Sequence, residues 1–336
     1  EGKNTGKKKY SFFNKPFGLL HFLDEHKPKE VKSDPHSPGK MIDDDDIIVL
    51  IDPDQIQTRP INGDFSNRSQ NYFVEGNADE WKLKTKVTHG SPLAQKFGFH
   101  NAWQRLDIAK IAGPKSPALD VTAADARNHY PAGPPYLATA RDMHLIASHW
   151  AEFVPKVYAE YPHLMAEMYA YCIAAAHVKL PHQILTSLMI SDSSAGSGGE
   201  GWNLIKKISD DDLCNPSVVD DVDLPLVVHF CQRYMVGRYF FGKRRIPKNI
   251  FSCEMPLLKE PPQNLPFLYD YFTPPKPPHP VIEKKPFKKK YHNRYESFMI
   301  CFLSRAVNEA STFYKKNNCE GNTKSSDERF DLWELK

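Results

Sequence analysis

The residues best suited to chemistry are Asp52 and Asp54, which close the segment Ile47-Ile48-Val49-Leu50-Ile51-Asp52-Pro53-Asp54. Two carboxylates at i and i+2 can both reach one hard cation when the chain bends between them, and Pro53 fixes such a bend. Mg²⁺ or Mn²⁺ held by one or two carboxylates completes its shell with water and diphosphate oxygens, so the pattern fits a phosphoryl or nucleotide-sugar site. The same tripeptide also fits a plain turn in which Asp52 caps the residues after it, and its context has to decide. Four more acids, Asp43 to Asp46, precede the run. Adjacent like charges repel, so these read as a solvated strand entry and not as a metal site.

Three further polar residues stand out. His229 lies in the apolar run Leu224 to Phe230, where it fits either a satisfied core histidine or a third ligand at a strand end. The basic run Gly242-Lys243-Arg244-Arg245 comes next, and Lys243 is a candidate for neutralising a leaving diphosphate. Glu167 stands one helical turn before Tyr171 and could point into a cleft, although a single Glu on a helix equally fits a solvated position.

The elements that must position these residues emerge from hydrophobic spacing. The short run Ile47 to Ile51 reads as a buried strand whose carboxyl end carries Asp52 and Asp54, where open α/β sheets bind ligands. Leu224 to Phe230 reads as a second buried strand. Asn14-Lys15-Pro16-Phe17 followed by Gly18 to Leu23 predicts a Pro-started amphipathic helix that packs against the sheet. Gly90 to Gly98 is turn-rich and would leave Gln95 and Lys96 near a sheet edge. Ala138 to Tyr161 and His163 to His177 predict consecutive helices separated at Pro162; in the second, Glu167 and Tyr171 share one face, and Leu164, Met168 and Ala175 mark another. Ser191 to Gly201 reads as a mobile lid bordered by Asp192, Glu200 and Trp202, with no Walker lysine and no G-x-G-x-x-G register. Tyr291 to Tyr314 predicts one more helix, followed from Lys315 by a polar, disordered tail.

Composition sets the frame. At 336 residues and 40% hydrophobic content the chain can build one large α/β domain or two ordinary ones. With 44 Lys and Arg against 41 Asp and Glu, charge makes no case for nucleic acid as the main partner. The 28 prolines exceed the usual share of roughly 5%. Many fall between Pro261 and Pro286, an extended stretch that either packs along its own domain or offers Tyr269, Tyr271 and Phe272 to a polyproline II ligand. The cluster Lys284 to Lys290 reads as a solvated face. Six cysteines without a C-x-x-C pair leave disulfides open, and the sequon Asn67-Arg68-Ser69 leans towards the secretory pathway. No apolar run approaches the roughly 18 residues of a membrane span.

One ordered set of motifs resembles a known family. It comprises Asn14-Lys15-Pro16, the strand into Asp52-Pro53-Asp54, Arg59-Pro60-Ile61, Glu167-Met168-Tyr169-Ala170-Tyr171 followed by Ala175-Ala176, and the run from His229 to Gly237. Over residues 10 to 262 this resembles the plant and algal hydroxyproline O-arabinosyltransferases and peptidyl serine α-galactosyltransferases, closer to the serine galactosyltransferase side. The resemblance implies an α/β, GT-A-like mixed sheet flanked by helices. It also implies Mn²⁺ or Mg²⁺, a UDP-galactose or UDP-arabinofuranose donor, retained anomeric configuration, and acceptor Ser or hydroxyproline on secreted hydroxyproline-rich glycoproteins. The setting would be the lumen of the endoplasmic reticulum or Golgi, with any membrane anchor outside this chain. Carried over, Asp52, Asp54 and His229 would hold the metal, with Asp54 also facing the donor. Lys243 would meet the diphosphate, and Glu167 would stand near the acceptor or the anomeric carbon.

The family has strands ahead of the Asn-Lys-Pro segment. Residues 1–260 are therefore expected to form a catalytic domain short of its N-terminal strands, followed by a Pro-rich and helical extension over 261–314 and a tail over 315–336. Two other readings stand beside this one. An aspartyl phosphatase would use Asp52 as nucleophile and Asp54 as acid/base, but Ile56 occupies the place of the expected Thr or Val, and Lys207 with Asp210-Asp211 completes that set poorly. A non-catalytic fragment would bind Pro-rich peptide without transferring sugar.

Overall fold

A computed structural model describes residues 13–26, 42–65, 86–194, 200–215, 224–268, 291–319 and 329–332. The strands in chain order are β1 (Ile47–Leu50), β2 (Gln55–Gln57), β3 (Leu93–Lys96), β4 (Ala132–Thr139), β5 (Gln183–Leu185), β6 (Met189–Ile190), β7 (Val227–His229), β8 (Arg233–Val236) and β9 (Tyr239–Gly242). The α-helices are α1 (Asn14–His26), α2 (Ile108–Ala112), α3 (Ala123–His129), α4 (Ala140–Glu160), α5 (Ala166–His177), α6 (Trp202–Lys206) and α7 (Tyr291–Asn318). The fold is mixed α/β, with mixed sheets and flanking helices, and the chain divides into two compact units. One takes the described residues up to Asp52, 61–65 and 86–186; the other takes 53–60 and the described residues from Ser187 onward.

The first unit is built on a sheet of order β1-β4-β3-β5. β4 runs antiparallel to both neighbours and β5 runs parallel to β3, so β1, β3 and β5 point the same way and Asp52 leaves at the carboxyl end. β1 is an edge strand and half-buried, not the fully buried strand its apolar run predicts. β4 carries the sheet and has no strand-like signature, because Gly133-Pro134-Pro135 reads as a turn. Its register explains the exception: Ala94 pairs with Tyr136 but Gln95 pairs with Gly133, so both prolines fall in a bulge where no ladder N–H is required. Gln95 and Lys96 therefore lie on an interior strand and not at the expected edge. Gln95 is wholly buried and donates from Nε2 to the Thr186 carbonyl at 2.9 Å.

Helix α4 buries Met143, Ile146, Trp150, Phe153 and Val157, as its period predicts. Thr139 starts it as N-cap, accepting the Asp142 amide, so the strand holds two residues that the sequence assigns to the helix. Helix α5 begins at Ala166 and is buried on every side from Ala166 to Ala176. The expected division into two faces fails because a helix this rich in alanine is enclosed all round. Helix α1 packs chiefly on α4, burying Leu19 and Leu23.

The second unit holds the sheet β2-β7-β6 and the hairpin β8-β9. Helix α7 runs through its core, with Phe298, Met299, Ile300 and Leu303 wholly buried and Tyr295 stacked on Trp202 at 4.4 Å. It continues four residues past the predicted end: Lys315–Asn318, expected in the tail, are helical, and Lys315 Nζ donates to the Met255 carbonyl. Disulfides Cys214–Cys301 and Cys253–Cys319 tie this helix along its length, while Cys172 and Cys231 are free. The sequon at Asn67, the lid centre at 195–199, the aromatic residues Tyr269, Tyr271 and Phe272, and the cluster Lys284 to Lys290 lie outside the described residues. No helix among the described residues is long and apolar enough to cross a membrane.

Candidate active site

In the first unit, Lys15 stands between two carboxylates. Its Nζ lies 2.6 Å from Asp52 Oδ1 and 3.1 Å from Glu167 Oε1. Asp52 arrives from the end of β1, Glu167 from the first turn of α5, and Lys15 from the first turn of α1, so three elements far apart in sequence converge on one ammonium. Burial works against the charge on Lys15, but Glu167 and Asp52 more than offset this and raise its pKa above the ordinary lysine value. Glu167 is only 3% exposed. Burial pushes its carboxyl up to about 7; the Lys15 charge opposes the rise and Asp52 adds to it.

An aromatic floor causes that burial. Tyr136 stacks on Tyr171 with ring centroids 4.0 Å apart, Trp150 meets both edge-on, and Trp150 Nε1 donates to the Glu167 carbonyl at 2.8 Å. A carboxylate beside such a floor is poorly solvated, and one ammonium serves two acids. The cluster therefore carries a net negative charge when both are ionised, a setting that attracts a cation or a positively charged transition state.

In the second unit, Asp54 meets His229 and Lys243. The β2–β7 ladder pairs Gln55 with His229, and the Phe230 amide donates to the Asp54 carbonyl at 3.0 Å, which fixes Asp54 beside the histidine. His229 Nε2 lies 3.3 Å from Asp54 Oδ1, and Lys243, just past β9, binds Asp54 Oδ2. Burial alone would raise the Asp54 pKa; hydrogen bonds and charge from His229 and Lys243 hold it well below the usual carboxylate range. Burial alone would lower that of His229; Asp54 and Cys231 instead carry it up to about 9. Tyr234 braces the histidine, its hydroxyl 3.0 Å from the His229 carbonyl.

The predicted residues thus gather as Asp52 with Glu167 in one unit and Asp54 with His229 and Lys243 in the other. The chain passes from one set to the other through Pro53. Sequence reasoning missed Lys15, which it assigns only to a packing helix; the spacing of a lysine at a helix start carries no sign of two distant acids. The acids Asp43 to Asp46 form a turn: the Asp43 amide donates to Asp46 Oδ2, and Arg141 pairs with Asp45 at 3.1 Å. Asp210 is engaged by Arg294 of α7. The lid borders are tied down, with Glu200 accepting the Ser191 hydroxyl at 2.8 Å and the Asp192 amide at 3.0 Å, and Glu296 of α7 accepting the Ser193 hydroxyl at 2.5 Å. Compared with family models, curated proteins and solved structures, the chain finds no match.

Taken unit by unit, the Asp52 carboxylate in the first and the Asp54 carboxylate and His229 imidazole in the second are ligand types that Mg²⁺ and Mn²⁺ accept. Each carboxylate is now held by a protonated side chain, Asp52 by Lys15 and Asp54 by His229 and Lys243. These side chains supply the positive charge that a bound metal ion would otherwise bring to the carboxylates.

Proposed function

We propose that the chain is a metal-dependent retaining glycosyltransferase of GT-A-like fold. It would move a sugar from UDP-galactose or UDP-arabinofuranose to Ser or hydroxyproline of secreted Pro-rich proteins in the lumen of the endoplasmic reticulum or Golgi. The observation that supports this most is the pairing of Asp54 with His229, because the two motifs that resemble the family's metal-binding set meet at 3.3 Å although most of the chain between β2 and β7 separates them. In sequence, a single proline, Pro53, separates Asp52 from Asp54.

In this reading Asp52, Asp54 and His229 would hold Mn²⁺ or Mg²⁺, which would supply charge neutralisation to the leaving diphosphate. Lys243, 40% exposed beside Asp54, adds a mobile positive charge for the same diphosphate. The bond from the anomeric carbon to the phosphate oxygen breaks, UDP leaves, and the acceptor oxygen bonds to the same face as its proton departs. A front-face route needs no protein nucleophile, whereas a double displacement needs a carboxylate at the anomeric carbon. Glu167 is the candidate for that carboxylate, and Lys15 is the group that orients it and tempers its charge.

The test is Glu167→Gln. Transfer should fall by about 10²-fold or more while Mn²⁺ binding persists; unchanged turnover would remove Glu167 from the chemistry. The phosphatase reading draws no support from Asp210, whose carboxylate is occupied by Arg294.

A further inference from the structure

The first unit holds a second concavity that the proposed chemistry does not use. It has a volume of about 750 Å³, within the range of metabolite sites, and its wall includes Ser91, Asp120, Asp125, Lys179 and Gln183. Ser91 precedes β3 and Gln183 opens β5, so the cavity lies at the amino ends of these parallel strands. Asp52 lies past the carboxyl end of β1, which runs in the same direction, so the two sites occupy opposite ends of the sheet. Its ligand is therefore independent of the transfer chemistry proposed above.

The wall is rich in acceptors. Gln183 is 7% exposed; its Nε2 donates to the carbonyls of Lys86 and Ser91 at 3.2 and 3.3 Å, and its Oε1 is buried with no hydrogen-bond partner among the described residues. A buried acceptor without a donor is costly, and a ligand N–H would relieve it. Asp120 and Asp125 add two carboxylates, of which Asp125 already accepts the Thr122 hydroxyl at 2.7 Å. Helices α3 and α5 both end here, at His129 and His177, and a helix carboxyl end carries partial negative charge. Against these stands a single lysine on the wall, Lys179.

Lys179 itself is unusual. It sits at φ 56° just past α5, the left-handed conformation that favours glycine, and the turn is closed by the Leu180 amide donating to the Ala175 carbonyl at 2.9 Å. A glycine there would relax the backbone and remove the ammonium from the wall, so one substitution separates charge from fold.

We propose that this cavity binds a small organic cation with several N–H donors, an alkylguanidine or polyamine, which the acidic wall and the Gln183 oxygen would hold together. The test is calorimetric titration of the full chain with agmatine, and with inorganic phosphate as the opposite charge. Agmatine should bind saturably, about three- to fivefold more weakly to Asp120→Asn and more tightly to Lys179→Gly by a similar factor. Asp120 is exposed, so its replacement leaves the fold intact. The proposal is overturned if agmatine fails to saturate below about 10 mM, if its affinity ignores Asp120→Asn, or if phosphate binds instead and Lys179→Gly abolishes that binding.

Discussion

One ammonium, that of Lys15, pairs with two acids, Asp52 and the buried Glu167. Such a side chain is invisible to spacing rules, which see a lysine beside a helix-starting proline and assign it only to a packing helix. Asp52, Asp54 and His229 were legible because short motifs carry their own context: an apolar run fixes the strand end, and a histidine inside a second run has few roles. Glu167 was legible as a candidate but not as a buried group, since its exposure depends on Tyr136, Trp150 and Tyr171 from three different elements. His182 shows the same dependence on tertiary surroundings and gives a test of it. Its Nδ1–H donates to the Leu180 carbonyl at 3.1 Å and Nε2 accepts the Tyr171 hydroxyl at 2.8 Å, the arrangement of a neutral imidazole. Burial lowers its pKa from 6.5 to about 3. Between these values the unfolded chain binds a proton that the folded chain refuses, so stability must fall as pH drops from 6.5 towards 3, by up to about 1.4 kcal/mol per pH unit. Urea midpoints at pH 7, 5 and 4 should show that slope, and His182→Asn should flatten it. A slope unchanged by the substitution would contradict the assignment.

At the scale of elements, the strands that declared themselves were the apolar ones, β1 and β7, and the helices α4 and α5 emerged from their period. Of the strands that did not, β3 and β4 break the propensity rules for identifiable reasons: β4 accommodates two prolines in a bulge, and Gln95 of β3 spends its side chain on the Thr186 carbonyl. Gly133, on the far side of that bulge, is required by contact. A Cβ there would lie 2.1 Å from a ring carbon of Phe97. Gly133→Ala should therefore destabilise the first unit by about 1–3 kcal/mol, and Phe97→Leu in the same chain should recover part of the loss. Denaturation that Gly133→Ala leaves unmoved would show that this contact does not fix β4 in the sheet.

At the scale of the molecule, the C-terminal helix was legible as a helix but not as the centre of a unit. Its weight comes from cysteine pairing, which spacing alone does not reveal: the bridges close stretches 87 and 66 residues apart in sequence. In the chain-entropy picture each contributes about 4–5 kcal/mol by restricting the unfolded chain. The first unit contains no disulfide among its described residues, so a reductant should act unevenly. Hydrogen exchange with dithiothreitol should show protection lost in α6 and α7 and kept in α4 and α5; equal loss in both would contradict this division.

The most direct test of the central claim is calorimetric titration of UDP into the chain with and without Mn²⁺, with Asp54→Ala alongside. UDP should bind only with Mn²⁺ present, and Asp54→Ala should abolish the binding. Binding that ignores both Mn²⁺ and Asp54, or no binding under any of these conditions, would contradict it.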